Sequence, residues 1–182
     1  MNNRGFTLIE LLAVVLILGI LTVVAVPQYK KSLERSRVAE AMQMLPAIFD
    51  SRERLLTENN YTIQEFAEAN PIDRMEKLEQ VSPFSRLDIE MKGQAATPLS
   101  WRTDNFLYNL YEPRDIALIS ATLQRGSYKG MVLYYDGDTV TCCDPREEGI
   151  MDWDDDSANR DTEYNMCHIF VEESNFTNLC RE

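Results

Sequence analysis

A single carboxylate, Glu10, stands four residues inside an apolar run that reaches from Phe6 to Val26. A lone charge in lipid costs roughly 2.5 to 3.5 kcal/mol at mid-bilayer on insertion scales, so an acid kept in such a run marks a functional position. The chemistry open to it is charge pairing. In a low-dielectric bundle a carboxylate and a cation attract far more strongly than in water, while each alone is penalised, so pairing between chains favours docking over free diffusion.

The other residues that could do chemistry lie near the C-terminus. Asp152, Asp154, Asp155, Asp156 and Asp161 are dense enough to suggest a calcium loop, because hard cations take several oxygen ligands. Their spacing lacks a twelve-residue loop with a central glycine and a closing glutamate, so they are weak calcium candidates and no cofactor is expected. Four cysteines, Cys142, Cys143, Cys167 and Cys180, fall in the last 41 residues. Four cysteines allow three pairings. Consecutive strand residues point to opposite faces, so one bond is expected from each of Cys142 and Cys143 to Cys167 and Cys180, in an order left open. Disulfides point to an oxidising compartment outside the cytoplasm. A zinc site built from these thiols and His168 would need two separated ligand arms, which the spacing does not provide. There is no Gly-rich phosphate loop and no nucleophile elbow, and His168 is the single histidine. The tail's carboxylates lack the hydrophobic setting that tunes acidity. No catalytic residue is assigned, and an enzyme is not expected.

The elements that must position Glu10 come next. Phe6 to Val26 is 21 residues, which as a helix spans roughly 31 Å, close to the hydrocarbon thickness of a bilayer. A removable secretory signal has a shorter apolar core of about 7 to 15 residues. Neither that nor a plain anchor accounts for the acid. Pro27 removes one backbone donor and is expected to kink the rod. From Tyr29 to Glu58 charge mixes with apolar positions at Leu33, Val38, Ala39, Met42, Leu45, Ile48, Phe49, Leu55 and Leu56, with Arg52 on the same stripe. That spacing predicts an amphipathic helix needing a cover. Pro46 is expected to bend or split it, and Asn59-Asn60 to stop it. A helix of about 50 residues would be roughly 75 to 80 Å long, too long for a small globular domain, so its first half must be buried elsewhere.

Residues 61–100 read as a connecting region with short helices, broken at Asn70-Pro71 and Ser82-Pro83 and turned at Lys92-Gly93. Between Trp101 and Cys143 four strands are expected: around Phe106, Tyr108 and Leu110; Asp115 to Leu123; Met131 to Tyr135; and, after an Asp136-Gly137 turn, Thr139 to Thr141. An antiparallel meander is the natural cover for the helix, giving an α+β fold.

Gly5-Phe6-Thr7-Leu8-Ile9-Glu10, the short basic Met1-Asn2-Asn3-Arg4 before it, and Pro27 and Tyr29 after it resemble the start of type IV pilins and pseudopilins. The resemblance implies a leader at 1–5, a membrane or filament-core half of the helix at 6–28, and a globular head at 29–182 whose sheet covers about 101–143 and whose acidic, disulfide-bonded tail covers 144–182. It implies cleavage after Gly5 by a prepilin peptidase, methylation of the new N-terminus at Phe6, and pairing of Glu10 with the terminal ammonium of a neighbour. Its implied partners are further copies in a helical filament, an inner-membrane assembly platform with its ATPase, and membrane lipid before assembly. The implied location is the inner membrane, single-pass with the Arg4 side cytoplasmic, then a cell-surface pilus. The resemblance leaves two alternatives to a structural pilin: a pseudopilin of type II secretion, some of which carry a C-terminal calcium site, and a minor pilin acting as a binding or adhesion module.

The formal charge is −12, of which residues 136–182 carry −11. Such a segment repels phosphate backbones, and the chain lacks the broad basic footprint of a nucleic-acid binder, so nucleic acid is disfavoured as a partner.

Overall fold

The structure, a computed structural model, describes residues 7–67, 70–112, 117–143 and 167. Its axis is one helix, α1, Leu8–Glu58, 51 residues long. The helix runs through Pro27 and Pro46 without interruption, so the split expected at Pro46 does not occur. It stops where expected, with Asn59 as C-cap and Asn60 in the left-handed region at φ 59°, which asparagine tolerates better than most residues.

Two environments divide α1. Every residue from Leu8 to Leu33 is exposed. From Glu34 the buried positions run Val38, Ala41, Leu45, Ile48, Arg52 and Leu55, spaced by threes and fours, with Ser51 and Leu56 beside them. That is the stripe an amphipathic helix turns toward a cover. Two residues expected on it do not join. Leu33 remains 38% exposed and Ala39 lies on the solvent side. Leu33 falls just short of the head, and Ala39 is a quarter turn past Val38.

After α1 come α2, Ile63–Ala67, and α3, Pro71–Val81, then a 3-10 turn at Phe84–Arg86. Asn70-Pro71, which reads as a breaker, begins α3: the Asp73 amide donates to Asn70 Oδ1 at 3.0 Å, and proline suits a first helical position because its missing donor would be unpaired there anyway. Asp88 ties the following segment back to α1, accepting from the Ser51 hydroxyl and, at 2.6 and 2.7 Å, from Arg54. Those two donors hold its carboxyl below the usual range. The tie is therefore complete at neutral pH and is lost as pH falls through the lowered pKa.

The sheet has six strands rather than the expected four: β1 Gln94–Thr97, β2 Ser100–Arg102, β3 Phe106–Asn109, β4 Ile119–Leu123, β5 Val132–Tyr135 and β6 Val140–Cys143. All neighbours are antiparallel and the spatial order equals the chain order. The two additional strands are short. β1 is exposed at all four positions, so it shows no alternation from which a strand could be read. The inner face carries Phe106 and Tyr108, then Ile119, Ala121 and Leu123, then Leu133 and Cys142, and it packs against the α1 stripe. The β5–β6 turn is the expected one. Asp136 Oδ1 accepts from the amides of Asp138 and Thr139, and Gly137 sits at φ +103° against the Phe49 ring.

Two side chains of α1 fasten the sheet. Arg52, 1% exposed, donates to the carbonyls of Leu110 at 3.1 Å and Ala117 at 2.9 Å while its guanidinium lies 4.7 Å from the Phe49 ring centre. Glu34, 5% exposed, accepts from Arg37 at 2.9 Å and from the Ser127 amide at 3.2 Å, holding the β4–β5 turn at the lower end of the head. Gly126 permits that contact. Its φ is +90°, and a Cβ there would lie 2.3 Å from Glu34 Oε1. Gly126→Ala is therefore expected to cost about 1 to 3 kcal/mol of head stability, read as a lower thermal midpoint by near-ultraviolet circular dichroism of the full chain in detergent.

Candidate functional site

Glu10 occupies the first turn of α1, where its charge complements the helix dipole. The Thr7 amide donates to Glu10 Oε2 at 2.9 Å, the Thr7 hydroxyl donates to the same oxygen at 2.7 Å, and the Glu10 amide donates to Thr7 Oγ1 at 3.4 Å. Side chain and backbone satisfy one another in both directions, a capping box. One carboxylate oxygen is thus engaged by the chain's own first turn, and Oε1 has no hydrogen bond among the described residues. Reading for chemistry overlooked Thr7. The signal was present as Thr7-Leu8-Ile9-Glu10, a threonine followed three residues later by glutamate at the head of an apolar run. Thr7→Ala is expected to cost about 1 kcal/mol of first-turn stability, seen as roughly fivefold faster amide exchange at Glu10 in micelles. Thr7→Ser should restore the wild-type rate.

Gly5 and Phe6, the expected cleavage and methylation positions, lie outside the described residues. Behind Glu10 the stem presents Leu11, Leu12, Val14, Val15, Leu16, Ile17 and Leu18 at half or more of their full exposure, and the most apolar window of α1 is 0% buried within the chain. The one hydroxyl further along it is satisfied internally, Thr22 donating to the Leu18 carbonyl at 2.7 Å. Helical backbone with its polar groups paired is what lipid or an apolar bundle requires. So large an unburied apolar surface is unstable in water. It is long and apolar enough to cross a membrane.

At the other end of the fold, Cys142 and Cys167 form a disulfide with Cα atoms 5.5 Å apart. Both join the core between sheet and helix. Cys143, on the opposite face of β6, is also disulfide-bonded and 4% exposed, whereas Cys180 lies outside the described residues. One bond from each member of the vicinal pair is as the sequence implied, and the order left open there is fixed for Cys142. Sulfurs engaged in bridges are not zinc thiolates. The bridge between residues 142 and 167, 25 apart, constrains the unfolded chain by about 3 kcal/mol on a loop-entropy estimate. Cys142→Ser with Cys167→Ser is expected to lower head stability by that amount in chemical denaturation. Asp152, Asp154, Asp155 and Asp156 lie outside the described residues, and no group of three metal-ligating side chains occurs among the described ones.

Comparison with known proteins bears on the stem. Residues 1–26 match the family model of the prokaryotic N-terminal methylation motif. The chain is 43% identical over 59 residues to the type IV major pilin protein PilA of Myxococcus xanthus, a stretch covering 32% of this chain and 27% of that one. It is 54% identical over 40 residues to the type IV major fimbrial protein FimA of Dichelobacter nodosus, covering 22% and 26% respectively. It is 41% identical over 56 residues to a fimbrial protein of Pseudomonas aeruginosa, covering 31% and 36%. The chain thus spans about a quarter to a third of the length of these relatives. No solved structure matches it significantly. Over its N-terminal stem, the chain is similar to type IV pilins in both the methylation motif and the identity shared with these relatives.

Proposed function

We propose that the chain is a structural subunit of a type IV pilus or a related filament. The observation that carries this reading is the stem, an apolar helical surface that is exposed among the described residues and that holds one acid near its start. In a membrane that surface faces lipid, and in a filament it faces the stems of other copies. A prepilin peptidase cuts after Gly5 and the new N-terminus at Phe6 is methylated. The terminal ammonium of one subunit then meets Glu10 of the next. An inner-membrane platform driven by an ATPase draws subunits from the bilayer into the growing fibre at the cell surface. The filament role calls on no cofactor. The head, closed by its bridges, forms the outer wall, with Cys143 joined to Cys180 as the second bond.

Two measurements test this reading. Intact mass of the native protein should equal the sequence less Met1 to Gly5, plus one methyl group. Electron microscopy of material sheared from cells should show long fibres that contain the chain. A mature chain that begins near residue 26, with the stem discarded, would end the proposal.

A further inference from the structure

The first turns of α1 beyond the apolar stem form a basic belt. Lys30, Lys31 and Arg35 are all exposed, and residues 30–37 carry a net charge of +3. Arg37 is engaged by Glu34, but Lys30, Lys31 and Arg35 have no ion pair or hydrogen bond among the described residues. Lys31 and Arg35 are also one turn apart on the same side of the helix, where like charges repel. Under the filament reading the belt is unfavourable to topology as well. Cations close to a membrane span favour the cytoplasmic side, yet four of them follow the stem on the exported side, against Arg4 on the other. A cluster that opposes both helix stability and membrane orientation calls for a compensating partner.

The chain carries the complementary charge, and the last described strand before it runs toward the belt's end of the head. The β5–β6 turn packs against Phe49, high on the head, whereas the β4–β5 turn packs against Glu34, at its lower end. Thr122 pairs with Val132, just beyond that lower turn, and Val132 pairs with Cys143. β6 therefore runs down toward the lower end of the head. The segment that continues from it belongs to the stretch 136–182, whose net charge is −11, with Asp152, Asp154, Asp155 and Asp156 at its densest point. Repeated on every copy, such a charge repels its neighbours unless cations lie between.

We propose that the belt of Lys30, Lys31 and Arg35 is a docking surface for the acidic C-terminal segment of a second copy of this chain, setting contacts between heads in the assembled filament. The contact rests on the filament reading above, and it adds to stem packing an electrostatic element that salt screens beyond about 8 Å at physiological ionic strength.

The test uses the full chain expressed in cells that make its filaments. Lys30→Glu, Lys31→Glu and Arg35→Glu together should reduce sheared filament at least tenfold, while processed subunit in the membrane stays at the wild-type level. Adding Asp152→Lys, Asp154→Lys, Asp155→Lys and Asp156→Lys to the same chain should restore most of the yield. In wild-type filaments grown from mixed light and heavy isotope subunits, a zero-length carbodiimide should join Lys30 or Lys31 to residues 152–156 in mixed-isotope peptides. Normal assembly of the triple variant would overturn the proposal, as would cross-links confined to one isotope, which place the contact within a chain. Loss of the triple variant from the membrane, with no rescue by the aspartate reversals, would assign the belt to anionic lipid headgroups instead. A wild-type chain that is processed but never yields filaments would sink the filament reading and this contact with it, a result told apart from the others by the wild-type arm alone.

Discussion

Replacing Glu10 with alanine is expected to leave the chain processed and inserted while surface filaments fall by at least a hundredfold. Breaking a buried ion pair by deleting one partner costs about 3 to 5 kcal/mol, because the remaining charge is left desolvated, and about 1.4 kcal/mol corresponds to a tenfold change in an equilibrium constant. One such loss at each subunit contact is enough to stop growth. The capping box makes a sharper version possible. Alanine removes both the charge and the bonds that Glu10 receives from Thr7. Glutamine can still close a capping box but carries no charge. Glu10→Gln is therefore expected to keep a protected first turn and still fail to assemble. Comparing sheared filament with membrane-bound subunit for each variant checks the outcome. Normal fibres from Glu10→Gln would show that Glu10 serves the local cap alone, and the ion pair between subunits would be abandoned.

The stem and its acid were legible because their signals are local. Unbroken apolarity over 21 residues, one carboxylate, and a helix running on to Asn59 follow from composition and period in α1. The stripe from Val38 to Leu56 was legible for the same reason, since each residue's neighbours on it are three or four positions away. Glu34 was not. It is buried because a glycine turn from the sheet, more than ninety residues away in sequence, closes over it, and no local pattern announces a partner at that separation. Pro46 does not split the helix, because flanking Leu45 and Ile48 are buried in the core that α1 shares with the sheet and tertiary packing outweighs the one lost backbone bond. β1 and β2 escaped notice because they are held by pairing rather than by a buried face. The cysteine count left the order of pairing open, and only three-dimensional proximity could decide that Cys142, on the helix-facing side, takes Cys167.

Arg52 should prove the most costly single position in the head. It appeared on the apolar stripe as a misfit, yet it is among the largest fully buried side chains of the chain. Its guanidinium crosses from α1 to the carbonyls of Leu110, just past the end of β3, and Ala117, just before the start of β4, and donates to both. Each carbonyl left without a partner in the interior costs about 1 to 3 kcal/mol, so Arg52→Met, which keeps much of the length and the apolar stem, is expected to destabilise the head by roughly 2 to 5 kcal/mol. Arg52→Lys should recover only part of this, because one ammonium cannot reproduce the flat fork that bridges two carbonyls while lying over the Phe49 ring. Denaturant titration of the full chain in detergent, followed by tyrosine and tryptophan signals of the head, measures the difference while the stem remains helical in its micelle. A change smaller than about 1 kcal/mol for Arg52→Met would mean that both carbonyls find other donors once the arginine is gone. The helix and sheet would then be joined by their apolar contacts alone, and the head would depend less on this crossing than the geometry implies.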